Sequence, residues 1–204
     1  MTKLNDAPAF FNALRESRIL GAAIDQSEVD GISAILAACG AENWGKKWTA
    51  YALATAYHET AGTMQPIRER GGPQYLTNKY DVRGDNPARA RRFGNTAPGD
   101  GVRYCGRGFV QLTWKSNYTK AAERTGFPLE GNPDLAMRVD IAAEIMTKGM
   151  SEGWFTGKKL GDYITNEATD FVGARRIING VDCAAKIAGH AIVFRDALIA
   201  GGWA

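Results

Sequence analysis

From Lys47 onward, Trp48, Tyr51, Ala52, Thr55, Ala56 and Glu59 recur at spacings of three or four residues. That is the period of an α-helix. The run is rich in Ala and stops at Gly62, so it predicts a buried helix with an abrupt end. The other periodic segments are helical too. Phe10, Phe11 and Leu14 mark a short first helix. Asp25-Gln26-Ser27-Glu28 offers two overlapping N-caps for a stripe of Val29, Ile32, Ile35 and Leu36 that Gly40 ends. Further helices are expected over Tyr118–Thr125, Asp170–Ile178 and Ala184–Ile199. Asn132-Pro133-Asp134-Leu135 is expected to open the helix that carries Ile141, Ala142, Ile145 and Met146. There is no internal repeat and no alternation of strands with helices, so the fold class is mainly α. Residues 66–108 stand apart. They hold Pro66, Pro73, Pro87, Pro98 and many glycines, and they predict long loops with at most a short hairpin near Val102–Phe109. Loops this long in a small domain are usually functional.

A chain of 204 residues has room for one good core, in one lobe or two. Its 45% hydrophobic and 23% charged residues exclude intrinsic disorder. The net charge of +3 is too mild for a dedicated nucleic-acid binder. No apolar run is long enough to span a membrane, and Arg15, Glu16 and Arg18 interrupt any signal-peptide core near the N-terminus. Cys39, Cys105 and Cys183 are odd in number and widely spaced. They suit a chain made in a reducing cytosol, as small buried hydrophobes.

Four groups of residues carry candidate chemistry. Glu59, in His58-Glu59-Thr60-Ala61-Gly62, is a carboxyl placed at the end of a buried helix. Tyr57 and His58 are expected to desolvate it and favour the neutral form a general acid needs. The plain alternative is an exposed helix-end Glu. A zinc motif fails, because Gly62 stands where a second His is required and only His190 remains. Glu69 lies ten residues on, beyond Pro66, between Arg68 and Arg70. Those arginines are expected to hold it as a carboxylate suited to a base, although a solvated charge cluster is the more common reading. Two carboxyl groups in unlike settings are what glycosidases use. Gly149-Met150-Ser151-Glu152-Gly153 matches a nucleophile elbow, but the preceding residues read as helix where that motif needs a strand. Finally, Arg68, Arg70, Arg83, Arg89, Arg91, Arg92, Arg103 and Arg107 are more than half of all the arginines. Interleaved with Tyr75, Tyr80, Phe93 and Tyr104, they form either a solvated face or a surface for an anionic polymer.

His58-Glu59-Thr60-Ala61-Gly62 resembles the H-E-T-G-G acid motif of glycoside hydrolase family 19, the chitinase family that also contains phage endolysins. The segment from Tyr104 to Tyr118 resembles that family's Y-x-G-R-G-x-x-Q-L-[ST]-x-x-x-N-Y signature, Asn132-Pro133-Asp134-Leu135 its N-P-D-L, and Arg176-Ile177-Ile178-Asn179-Gly180 its R-I-I-N-G. All occur in the family's order, with a short match at Gly153-Trp154-Phe155 between them.

The resemblance implies a lysozyme-like, two-lobed helical domain with a central cleft, occupying residues 1–204 with no separate wall-binding module. It implies Glu59 as general acid, Glu69 as the second carboxylate and Thr113 as a holder of the attacking water. His58, Tyr104, Arg107, Gln111, Asn117 and Asn179 would line the substrate site. No cofactor or metal is implied. The compact form resembles endolysins of phages that infect Gram-negative hosts. Such a monomer would be made in the host cytoplasm, released by a separate pore-forming protein without inserting in the membrane, and would act on periplasmic peptidoglycan rather than on nucleic acid. It would cut the β-1,4 bond between N-acetylmuramic acid and N-acetylglucosamine with inversion, which needs carboxylates roughly 6.5–9.5 Å apart. A chitinase, and a non-catalytic polysaccharide- or nucleic-acid-binding domain, are the alternatives.

Overall fold

The computed structural model describes residues 3–204. Among them the chain is mainly helical, with a single two-stranded antiparallel sheet. It divides into two compact units. Of the described residues, the first is formed by residues 3–65 and 146–204, the second by residues 66–145.

The first unit is built on α3 (Lys46–Glu59), in which every residue from Thr49 to Ala56 is buried. A helix apolar on all sides belongs inside a core. Its small Ala surface lets α9 (Ala184–Ala200) pack along it, and α1 (Ala7–Ser17) packs on α9 in turn. α2 (Gln26–Ala41) begins with a capping box in which Asp25 accepts from the Glu28 N–H and the Glu28 side chain accepts from the Asp25 N–H. That arrangement satisfies two N–H groups that a helix start leaves unpaired.

The end of α3 is tied down by local bonds. The Thr60 hydroxyl donates to the Ala56 carbonyl at 2.7 Å and accepts from the Met64 N–H at 3.1 Å. The Gly62 N–H reaches back to the Tyr57 carbonyl at 2.8 Å. Ala61, Gly62 and Met64 all take left-handed backbone conformations. The turn then lies against α2 at Gly31, where an added Cβ would run into the Met64 carbonyl. The Gln65 side chain completes the junction by donating to the Ser27 carbonyl.

The second unit corrects the expectation of long loops. Three short helices cross it, α4 (Pro73–Tyr80), α5 (Pro87–Arg92) and α6 (Asp100–Arg103). Pro73 and Pro87 sit in the first turn of theirs, where the missing N–H costs nothing. Helices of four to eight residues complete too few turns to show a period. The short hairpin expected near Val102–Phe109 is reduced to one bridge, and the strand there finds a second partner. β2 (Arg107–Gly108) pairs with the distant β1 (Ile67–Arg68), while Arg107 also forms an isolated antiparallel bridge with Leu112. α7 (Lys115–Thr125) follows. The Asn132–Leu135 segment does not open the next helix. It forms a separate 3-10 turn, Pro133–Met137, and Arg138 is extended before α8 (Val139–Glu152) starts. In the first unit, the helix expected over Asp170–Ile178 shrinks to a 3-10 turn at Gly173–Ile177.

Polar side chains bracket this second unit. Buried Asp81 accepts from the Gly99 N–H at 2.7 Å and the Gly101 N–H at 3.2 Å. Buried Asn95 donates to the Tyr80 carbonyl and accepts from the Lys115 N–H. Asp100 accepts from the N–H groups of Thr96 and Ala97. A small apolar cluster of Leu76, Tyr80, Ala90, Cys105 and Trp114 fills the space between them. No helix among the described residues is long and apolar enough to cross a membrane.

The contact at Gly31 sets a test. Gly31→Ala is expected to destabilise the protein by roughly 1–3 kcal/mol, as overpacking against rigid backbone does. Chemical denaturation would measure it. A stability equal to wild type would mean the turn after α3 is not fixed by this contact.

Candidate active site

Two carboxyl groups dominate, one in each unit, and their settings differ. In the first unit, Glu59 is the last residue of α3. Its Oε1 accepts from Nη1 of Arg175 at 2.5 Å, an ion pair whose side chains are 16% and 3% exposed. Arg175 comes from the 3-10 turn Gly173–Ile177. Its other contacts go to Asp182, from Nε to the carbonyl at 3.2 Å and from Nη2 to the carboxylate at 3.4 Å. Burial works against the guanidinium's charge, but Glu59 and Asp182 more than offset that and hold Arg175 above its ordinary value. The expectation that Tyr57 and His58 govern Glu59 is thereby corrected. The Tyr57 hydroxyl points elsewhere, donating to the Ile19 carbonyl at 2.6 Å, and its ring meets His190 edge-on. His58 is half-buried next to Glu59, and burial lowers its pKa.

In the second unit, Glu69 follows β1, and its own N–H donates to the Gly106 carbonyl at 2.8 Å. Oε1 accepts from the Lys79 ammonium at 2.7 Å and from the Tyr80 hydroxyl at 2.9 Å, both on α4. Oε2 receives a long bond of 3.3 Å from the Gly106 N–H. Three donors on one carboxylate suit an acceptor rather than a proton donor. The expected partners, Arg68 and Arg70, do not supply them. Arg68 reaches Cys105 Sγ and the Val102 carbonyl. Burial opposes the Lys79 charge, yet its bonds to Glu69, Tyr75 and Tyr80 prevail and raise its pKa.

The other polar residues expected at the site fall into three sets. Gln111, Thr113 and Asn117 are half-buried in one run of chain. The Gln111 amide donates to the Ile67 carbonyl at 2.9 Å, the Thr113 hydroxyl to the Gln111 carbonyl at 2.8 Å and the Asn117 amide to the Thr113 carbonyl at 2.8 Å. Gln111 also holds a left-handed φ of 52°, a strained value for a side-chain-bearing residue, as functional loops often show. Tyr104 and Arg107 are different, at 3% and 4% exposed. Arg107 bonds Asp134, the Tyr118 hydroxyl and the carbonyls of Arg103 and Cys105. The Tyr104 hydroxyl bonds the Glu130 carbonyl. Both are committed to holding the loop. Asn179 lies in the first unit, exposed, accepting from the Gly180 N–H.

The arginine-rich face divides the same way. Arg83 pairs with buried Asp81, Arg89 lies over the Trp114 ring, and Arg103 bonds the carbonyls of Glu130 and Gly131. Arg70 and Arg91 are exposed. Of the interleaved aromatics, Tyr75 is 47% exposed, whereas Tyr80 and Tyr104 are buried and Phe93 stacks on Trp114. Ser151 sits inside α8 and donates to the Lys148 carbonyl, which removes the nucleophile elbow. Cys39 and Cys105 are buried and unpaired, as expected, but Cys183 is exposed.

Sequence reasoning missed Arg175, Lys79 and the hydroxyl of Tyr80 as partners of the two carboxyls. Arg175 directly precedes the Arg176–Gly180 segment, but a pairing across 116 residues has no local signal.

Comparison with known proteins adds a framework. A family model described as chitinase class I matches residues 27–159. An endochitinase of Arabidopsis thaliana is 32% identical over 83 residues, which is 41% of this chain and 27% of that protein. The match thus spans about a quarter of that relative's length. The structure of chitinase C from Streptomyces griseus superposes with a TM-score of 0.56 at 21% identity, covering 95% of this chain and 72% of that one. A bacterial family 19 chitinase gives 0.56 at 25% identity, covering 82% and 84% respectively.

The two histidines set a pH test. Burial lowers the pKa of both, Lys186 adds to the effect on each, and His58 adds further to that on His190. The folded state therefore binds fewer protons than the unfolded state once pH falls below 6.5, the ordinary value. Stability is expected to drop as pH falls through that value toward the depressed ones. Melting temperatures measured between about pH 7 and 5 should fall less in His190→Gln than in wild type. Identical slopes would show that His190 titrates normally.

Proposed function

The chain belongs to glycoside hydrolase family 19, and on that footing we propose that it hydrolyses the β-1,4 bond between N-acetylmuramic acid and N-acetylglucosamine in peptidoglycan, as an endolysin. The observation that carries the reading is the inequality of the two carboxyls. Glu59 has one oxygen engaged by Arg175 at the end of an apolar helix. Glu69 stands among three donors. An acid and a base in one reaction need such unlike settings.

In the proposed mechanism Arg175 orients Glu59 through Oε1, and the other oxygen carries the proton. That proton passes to the glycosidic oxygen as its bond to the anomeric carbon breaks. A water molecule attacks the anomeric carbon from the opposite face and gives its proton to Glu69. Lys79 and Tyr80 fix Glu69 for that transfer, and Thr113 holds the water. Gln111, Asn117, His58 and Asn179 contribute amide and imidazole groups to sugar hydroxyls and N-acetyl groups, and exposed Tyr75 offers a ring for a sugar face. The wall polymer is favoured as substrate by the exposed Arg70 and Arg91, since stretches of peptidoglycan carry negative charge. The three unpaired cysteines fit a chain that matures in a reducing compartment before it reaches the wall. Chitin is the second reading, favoured by the names of the relatives.

Glu59→Gln keeps the shape but removes the proton. It is expected to lower the rate by roughly 10²–10⁴-fold while the circular dichroism spectrum stays unchanged. Glu69→Gln should also lower turnover strongly and leave substrate binding intact. Proton NMR should show the α-anomer first. Early β-product, or more than a tenth of the activity in Glu59→Gln, would sink the assignment.

Substrate is decided by mass spectrometry of the products. Purified peptidoglycan should yield fragments with reducing-end N-acetylmuramic acid, and chitin should yield little. Release of chitin oligosaccharides alone would transfer the conclusion to a chitinase.

A further inference from the structure

Two residues in the buried stretch of α3 carry hydroxyl groups that its packing does not call for. Tyr51 is 0% exposed and Thr55 is 1% exposed. They stand four residues apart, and Glu59 is four residues further, so all three share one face of the helix. The two hydroxyls are neighbours. Yet neither forms a well-aligned hydrogen bond with another group of the chain. A buried polar group left unsatisfied destabilises the fold. Phe and Val would fill the same space without that cost.

The surroundings of the phenol are charged. Burial keeps it a neutral hydroxyl by pushing its pKa up, and the charges of Arg175, Glu59 and Asp170 act on it. The ring itself is fixed, lying nearly parallel to Phe171 at 5.9 Å. Arg175 has its guanidinium turned to Glu59 on one side and Asp182 on the other, with its side chain only 3% exposed. Removing a guanidinium from water is costly unless dipoles replace the water.

We infer that the Tyr51–Thr55 hydroxyl pair is a positioning device for Arg175, and through Arg175 for the Glu59 carboxyl. The hydroxyl dipoles, with any ordered water they hold, stand in for solvent on the helix side of the guanidinium. A polar spot with several hydroxyl partners is where buried waters settle. The arrangement lowers the stability of α3 packing in exchange for a fixed acid. This rests on the reading of Glu59 as the general acid.

The double variant Tyr51→Phe/Thr55→Val separates function from structure by sign. Its melting temperature is expected to equal or exceed that of wild type. Its kcat on peptidoglycan should fall roughly tenfold to a hundredfold, as misplacement of a catalytic group does, with KM little changed. Tyr51→Phe alone should show the same signs with a smaller fall. An unchanged kcat, or a fall matched by a lower melting temperature, would overturn the inference. A second measurement does not depend on activity. Solvent exchange of the Arg175 Nε–H, followed by ¹⁵N NMR with Arg175→Lys to assign the signal, should quicken several-fold in the double variant. If wild type cleaves neither peptidoglycan nor chitin, the functional reading falls, and this exchange rate alone decides. Unaltered exchange would then reject the positioning role.

Discussion

Each unit of the chain has a guanidinium in its interior, and much of the remaining architecture answers to those two charges. Arg107 ties β2, the preceding turn, α7 and the Pro133–Met137 turn through four acceptors. A charge at 4% exposure is tolerable only where nearly every donor is met. The carbonyls of Arg103 and Cys105 and the Tyr118 hydroxyl must therefore keep their places. Arg175 does the same in the other unit, with the Glu59 and Asp182 carboxylates and the Asp182 carbonyl for partners. Arg107 makes a loop rigid, whereas Arg175 holds a carboxyl that chemistry can use.

The second unit shows what a region with little apolar surface does for stability. Its ladder is two residues long, and its helices are short. Asp81, Asn95 and Asp100 substitute side-chain acceptors and donors for the missing backbone partners. The backbone polar groups of a buried turn must be met by something, and here short polar side chains meet them. Gly101 fits this economy, because a Cβ there would press on the Asp81 N–H and the Leu76 carbonyl. Glu69 gains a fixed setting from the same framework, since Lys79 and Tyr80 both extend from the end of α4.

What the sequence made legible follows the range of the interactions. α3, α2 and α9 announced themselves through period and caps, because those signals are local. Glu59 was visible for the same reason, as the last residue before a helix stop. The short helices of residues 66–108 were not, since four to eight residues of mixed character carry no measurable period. The β1–β2 pairing joins Ile67 to Gly108, a separation that no local pattern encodes. The arginines show the limit most sharply. Arg68 and Arg70 flank Glu69 in sequence, but adjacent side chains on extended backbone point to opposite faces. The carboxylate therefore found Lys79, one helix away. Tyr104 and Arg107 were visible as part of a motif but not as buried, because a motif records which residues matter and not whether they touch a ligand or each other.

The route of the chain through the first unit has a bearing on how the protein comes to be made. α3 leaves the ribosome long before α9, its main packing partner, and residues 60–183 separate them. Residues 66–145, by contrast, are contiguous and can close on themselves as they emerge. The second unit therefore has the shorter search, and the face of α3 that α9 covers stays open until α9 is synthesised. Contacts distant along the chain form slowly, and exposed apolar segments invite aggregation meanwhile. The helix that bears Glu59 is thus the part of the nascent chain most in need of shelter, and the carboxyl acquires its arginine only after a further 116 residues have been made.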